Sequence, residues 1–197
     1  MSDVSIVTTI LKETYTFLSD EDIDAFLSIS NLKKVSNKTV LIKGGEVSKR
    51  IFFIAQGLIR GYFTNEKGVE KNIFLRQERT VTGAPNSLFN NIPAKYTFEA
   101  VGDCLLLEYT QEDFEQLSAT NPRFTKMYVH GLHEVIKILI FRVESLIDKM
   151  PEERYEQLIS THPQFFQKAY NKHIANYLGI TSVSLSRIIK RKLDNRN

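Results

Sequence analysis

The sequence predicts an α+β chain: a β-barrel or jelly-roll domain first, then one long helix, then a winged-helix-like helix-turn-helix domain. Three observations predict this order. From residue 32 to about 109, short β-branched and aromatic runs alternate with turn residues. Apolar residues then recur at near-heptad spacing across 122–149. Finally, Gly179 separates two short amphipathic patterns.

Taken in order, residues 5–18 carry a sparse helical stripe of Ile6, Ile10, Leu11, Tyr15 and Leu18. Ser19 or Asp20 caps a second helix over 21–27, whose acidic first turn suits the helix dipole. Strands are expected at 39–42, 51–55, 58–64, 69–75, 96–101 and 104–109. Turn residues separate several of them, as in Gly44-Gly45-Glu46, Gln56-Gly57 and Asn65-Glu66-Lys67-Gly68. Closing such strands into a barrel or jelly roll hides their edges. Thr110 with Asp113 has the form of a capping box, opening a helix to Leu117.

Asn121-Pro122 sets an N-cap followed by proline in the first helical turn, and the helix is expected to run to Lys149. Tyr128, Leu132, Val135, Leu139, Val143, Leu146 and Met150 follow one another every three or four residues. Ile136, Ile140 and Ile147 form a second stripe. One stripe is expected on the barrel and the other on a partner helix. Three further helices are expected at 152–160, 171–178 and 182–192. Gly179 supplies the left-handed geometry that ends the middle one, and Thr181 caps the last. The expected domains are 1–120, 121–150 and 151–197.

Among 197 residues, 42% are hydrophobic and 25% charged, which excludes disorder as the dominant state. The longest apolar runs are far too short to cross a bilayer. Asp3 and the lack of a basic flank argue against a signal peptide. One cysteine, Cys104, excludes a disulfide framework within the chain. These points favour the cytoplasm. Charge is uneven: residues 170–197 hold Lys172, Arg187, Lys190, Arg191, Lys192 and Arg196 against Asp194 alone. That end carries +5 and the rest −2, which points to an anionic partner at the C-terminal end.

Two stretches carry a family resemblance. One is Leu41-Ile42-Lys43-Gly44-Gly45-Glu46 with Ile51-Phe52-Phe53-Ile54-Ala55-Gln56-Gly57-Leu58-Ile59-Arg60. The other is Ile174-Ala175-Asn176-Tyr177-Leu178-Gly179-Ile180-Thr181 with Ser184-Leu185-Ser186-Arg187-Ile188-Ile189-Lys190. In this order they resemble the Crp/Fnr superfamily of bacterial transcription regulators. The resemblance implies barrel loops that sense a small-molecule effector, a long helix (122–149) that pairs with its twin in a homodimer, and a last helix that enters the major groove of double-stranded DNA. RNA polymerase is a further partner it allows, and no membrane is involved.

Under that resemblance Thr181, Ser182, Val183, Ser186, Arg187 and Lys190 form the DNA-facing set, with Leu185, Ile188 and Ile189 in the core. Arg187 matches the family's arginine on this helix. A guanidinium on guanine O6 and N7 is worth about 1–3 kcal/mol of discrimination. It could equally clamp a phosphate. Lys190, Arg191 and Lys192 would add salt-sensitive attraction. Ser182 and Val183 depart from the family's arginine-glutamate pair, so its usual base preference does not transfer. A β wing is either missing or formed by a hairpin near residues 163–170.

The family's cyclic-nucleotide cassette falls on Thr82-Gly83-Ala84-Pro85-Asn86-Ser87-Leu88-Phe89 and Ala94-Lys95-Tyr96-Thr97. Gly83, Ala84, Pro85, Asn86, Lys95 and Tyr96 are the expected effector pocket. Ala84 stands at the glutamate position that would hold the ribose hydroxyl. Lys95 or Tyr96 stands at the arginine position, and lysine lacks the bidentate fork. Cyclic AMP in the usual mode is therefore not expected. No metal site is expected: His130 and His133 lie three apart on the long helix without a third ligand. All four histidines follow the barrel, which counts against a metal-dependent barrel enzyme and leaves no catalytic residues. The competing reading is a ligand-binding or scaffold protein whose helical C-terminus contacts protein.

Overall fold

The computed structural model describes residues 2–194. Helix α1 (Asp3–Thr14) opens on a Ser2 cap whose side chain accepts from Ser5 N, and it buries Val7 and Leu11. It ends four residues before the expected Leu18. Tyr15 leaves helical geometry and inserts its ring between Phe53 and His130 in the core. Helix α2 (Asp20–Ser28) has the reciprocal cap of Ser19 and Asp22. Asp22 also accepts from Asn121 Nδ2 at 2.6 Å and Arg123 Nη1 at 2.9 Å, which ties this corner to the start of the long helix.

Eight strands follow: β1 (Asn31–Val35), β2 (Val40–Ile42), β3 (Arg50–Gln56), β4 (Leu58–Thr64), β5 (Glu70–Gln77), β6 (Thr80–Gly83), β7 (Thr97–Ala100) and β8 (Cys104–Thr110). They make two antiparallel four-stranded sheets, in the orders β1-β8-β3-β6 and β2-β7-β4-β5. Side-chain alternation explains how both faces are covered. Phe52, Ile54 and Leu106 point between the sheets, toward Ile42, Ile59, Phe98 and Ala100. Phe53, Ala55, Leu105, Leu107 and Tyr109 point outward onto α1, α2 and the helices that follow β8. The chain crosses from one sheet to the other at Gly57, with φ of +106°. A Cβ there would lie 2.5 Å from Cys104 Sγ and 2.9 Å from Asp103 O, so only glycine fits.

After β6 comes α3 (Pro85–Asn90). Then α4 (Gln111–Thr120) starts on a Thr110 cap that accepts from Asp113 N at 3.1 Å, as expected. Helix α5 (Pro122–Asp148) has Asn121 as its cap, with Asn121 Oδ1 accepting from Arg123 N at 2.9 Å. It stops before Pro151, because the residue preceding proline resists helical geometry. Four helices, not the expected three, complete the described chain: α6 (Pro151–Thr161), α7 (Pro163–Lys168), α8 (Asn171–Tyr177) and α9 (Ser182–Asp194). The extra one, α7, occupies the segment where a wing hairpin was an option, so that option is corrected: a proline-initiated turn packs Phe165 into the core instead. Residues 195–197, including Arg196, lie outside the described residues.

The C-terminal helices share one core with the outer face of the second sheet. Leu58, Leu75 and Val101 from the strands meet Leu158, Phe165, Ile174, Tyr177, Leu178, Leu185 and Ile188.

Candidate nucleic-acid interface and effector cavity

The turn between α8 and α9 has the expected chemistry. Gly179 adopts φ of +72°, and its N–H and that of Ile180 return to Asn176 O (3.1 Å) and Ala175 O (3.0 Å). Thr181 Oγ1 accepts from Ser184 N at 3.1 Å and so caps α9. Replacing it (Thr181→Ala) is expected to cost about 1 kcal/mol, read as a lower urea midpoint with an unchanged slope.

Helix α9 is sharply two-faced. Leu185 and Ile188 are buried, whereas Thr181, Ser182, Val183, Ser186, Arg187 and Lys190 are exposed. Among the described residues no carboxylate pairs with Arg187 or Lys190. The neighbouring basic residues differ. Arg191 pairs with Glu152 of α6 at 3.0 Å, and Lys192 reaches both Glu152 (3.4 Å) and Glu156. Two of these basic groups thus also pair with α6 at the surface of the domain. Ser186 Oγ donates to Ser182 O at 2.9 Å within its own helix.

Helix α8 is docked on the barrel by polar contacts that the sequence did not signal. Asn72 N donates to Asn176 Oδ1 at 2.7 Å, Asn72 Nδ2 to His173 O at 3.0 Å, and Asn176 Nδ2 to Glu70 O at 2.5 Å. Its last carbonyls receive guanidinium groups: Arg142 of α5 donates to Tyr177 O at 3.2 Å, and Arg154 of α6 to Leu178 O at 3.0 Å. Positive charge at a helix C-terminus complements its dipole. Arg142 also donates to Asn72 O (3.0 Å) and Ile73 O, so one side chain joins α5, β5 and α8.

Beneath α8 lies a buried ion cluster. Arg60 donates to Glu99 (2.8 Å) and Glu70 (2.5 Å), and its guanidinium sits 3.9 Å from the centre of the Tyr62 ring. Burial favours the neutral arginine, but the two carboxylates outweigh it and raise its pKa. His173, buried 3.4 Å from Arg60 Nη1, is pushed down to about 4, first by burial and then by Arg60 and Lys172, with Glu70 opposing. Because the unfolded imidazole titrates near 6.5, the folded chain resists protonation. Stability is then full above pH 6.5 and falls as pH drops toward 4, by up to about 3 kcal/mol. Urea melts across this range should show that fall, and His173→Gln should flatten it.

The second region is a cavity of about 340 Å³ between the barrel, α3 and α5. Its lining is nearly all apolar. Phe74 and Phe98 come from the barrel, Leu88 and Phe89 from α3, and Met127, Leu132, Val135 and Leu139 from α5. Of the expected pocket residues, Gly83 and Pro85 line it. Ala84, Asn86, Lys95 and Tyr96 do not: Ala84 is packed in the barrel core, and Lys95 is exposed beside the Tyr96 ring. Arg76, which the sequence reading missed, does line it. Arg76 sits two residues after Phe74 on the same inward face of β5, but the expected strand stopped at 75 and did not reach it. Among the described residues no cluster of three metal-ligating side chains occurs.

The α5 stripes divide only in part. Tyr128, Leu132, Val135 and Leu139 of the first line the cavity, but its Val143 and Leu146 are exposed, together with Ile136, Ile140 and Ile147 of the second, Ile147 at 81%.

Both the barrel and the whole fold are similar to known proteins. Residues 32–121 match the cyclic nucleotide-binding domain family. The fold is similar to that of the c-di-GMP responsive global regulator CLP from Xanthomonas campestris (14% identity, 90% of this chain and 93% of that one, TM-score 0.71). It is also similar to FixK2 from Bradyrhizobium japonicum (12%, 85% and 86%, TM-score 0.70) and to the Thermus thermophilus Catabolite Activator Protein (17%, 92% and 87%, TM-score 0.56). None of the curated protein sequences compared with it matches. The whole chain thus shares the fold of these three solved structures.

Proposed function

We propose that the chain is a DNA-binding transcription regulator that pairs as a homodimer through α5 and answers to a small-molecule effector in the barrel cavity. The single observation that carries this reading is the outward face of α9, where Arg187 and Lys190 stand uncompensated beside Ser182, Val183 and Ser186. Helices of this kind present base-reading side chains from their N-terminal half to the major groove of double-stranded DNA. The exposed apolar stripe of α5 supports pairing, since a row of isoleucine, valine and leucine in water is unfavourable. The effector shifts the pair between two arrangements about Met150-Pro151, which requires different affinities for the two. Cyclic AMP in the usual mode does not suit this cavity, because Ala84 offers no carboxylate for a ribose hydroxyl and Lys95 lies outside the lining. A regulator of this kind acts in the cytoplasm and engages RNA polymerase, and both statements rest on the reading itself.

Selection of bound DNA from a random pool at fixed ionic strength tests the reading. The expected product is a palindrome whose half-sites lie about one helical turn apart, roughly 34–36 Å. Recovery of no site, or of unrelated sequences only, would favour the scaffold alternative in which the helical C-terminus contacts protein.

A further inference from the structure

Resting on the preceding reading only for the cavity's role as an effector site, we propose that this cavity takes an amphiphilic monocarboxylate: its carboxylate on Arg76, its apolar body against Phe74, Phe98 and the α5 wall.

Arg76 is the reason. It is 4% exposed, and its Nη1 meets no hydrogen-bond partner. No carboxylate of the described chain compensates it; the charged-group influence on it comes from the Tyr177 hydroxyl. Burial pulls its pKa down to about 10, so it still carries its charge at neutral pH. A buried cation without a counter-charge is strongly unfavourable, the Phe74 ring 5.2 Å away offsets only part of that cost, and an anion in the cavity would relieve the rest. The guanidinium fork matches a carboxylate with two parallel hydrogen bonds.

The rest of the lining fixes the class. Apart from Arg76, the polar side chains around the cavity are Thr82 and the tyrosines Tyr15, Tyr109 and Tyr128. A nucleotide's ribose and base edges would be stranded against phenylalanine and leucine. A phosphate dianion calls for a second cation, and the lining holds one guanidinium. One positive group in an apolar chamber of this size fits one negative charge on a chain or ring of carbon. The site also has a route to the DNA-reading pair. Arg76 lies near Tyr177 of α8, whose ring carries the Arg142 guanidinium 4.4 Å from its centre.

The test uses the full chain and calorimetry at neutral pH. Hexanoate, decanoate and naphthoate are each titrated against the corresponding alcohol, with cyclic AMP alongside. At least one acid should saturate, and its alcohol should bind at least about tenfold more weakly. Arg76→Gln should remove that difference between acid and alcohol, and Arg76→Lys should restore part of it. Should Arg76→Gln not fold, Leu139→Trp fills the α5 wall and should abolish binding of the acid with the circular-dichroism spectrum unchanged. The proposal is overturned if no acid binds, if acid and alcohol bind alike to the natural chain, or if cyclic AMP binds more tightly than every acid. None of these readouts involves DNA, so failure here and failure of the regulator reading are separable.

Discussion

Arg187→Ala is expected to erase most of the chain's discrimination between its selected site and a scrambled duplex. Loss of a guanidinium from a guanine edge costs about 1–3 kcal/mol per half-site. In a dimer both half-sites lose it, so affinity for the selected site should fall roughly 30-fold or more. Arg187 is exposed and makes no ion pair within the described chain, so thermal stability should hardly move. Fluorescence anisotropy across a salt series separates the possibilities. Loss of a base-reading arginine lowers the specific-to-nonspecific ratio. Loss of a phosphate clamp instead weakens binding to all duplexes alike and reduces the salt slope by about one per contact. If both duplexes bind the variant as they bind the natural chain, α9 is not the reading element. Arg191→Ala serves as the internal control: its guanidinium is engaged by Glu152, so its effect on DNA should be the smaller one.

The second large effect is on stability. Arg60→Met should destabilise the chain by about 3–5 kcal/mol, because it strands the carboxylate of Glu99 in a nearly closed site. Glu70, about half exposed, can return to water and adds little to that loss. Combining Arg60→Met with Glu99→Leu removes the stranded charge and should recover part of the loss. Equilibrium urea unfolding of the two variants measures both terms. A loss under about 1 kcal/mol for the single variant would mean that water reaches the cluster. Because Arg60 also meets His173, the variant should loosen the docking of α8, visible as faster amide exchange in that helix.

The sequence made some parts of this molecule plain and concealed others for definable reasons. Caps and turns were legible residue by residue: Thr110, Asn121, Gly179 and Thr181 all act as their chemistry dictates. The inner strands were legible too, since β3, β4 and β8 are apolar runs. The two strands left unread, β1 and β6, are the edges of one sheet. Edge strands carry polar residues on their open side, and Lys33 and Lys34 of β1 break any apolar alternation. On α9 the exposed and buried sets fall as the family resemblance implied, with Arg187 and Lys190 outward and Leu185 and Ile188 inward. The cavity lining does not. Matching a cassette in the chain picked Lys95, but which side chains converge is a property of three-dimensional packing, and the cation that reaches the cavity comes from β5. Charge counting also misled: the basic cluster at residues 187–192 counts as one patch in the sequence, yet acidic residues on α6 claim Arg191 and Lys192.

The clamps formed by Arg142 and Arg154 set a threshold for switching. Arg142 to Tyr177 O and Arg154 to Lys149 O (2.7 Å) both span the joint at Met150-Pro151. Charged hydrogen bonds of this kind are worth about 1.5–3 kcal/mol each, and under the proposed switch that cost adds to the Asn72 and Asn176 contacts and the apolar core that hold α8 on the barrel. Inverting a two-state population from 1:99 to 99:1 takes about 5.5 kcal/mol of differential affinity. If the proposed switch operates, the latch is at least of the effector's scale, and a weakly discriminating effector would leave this joint shut.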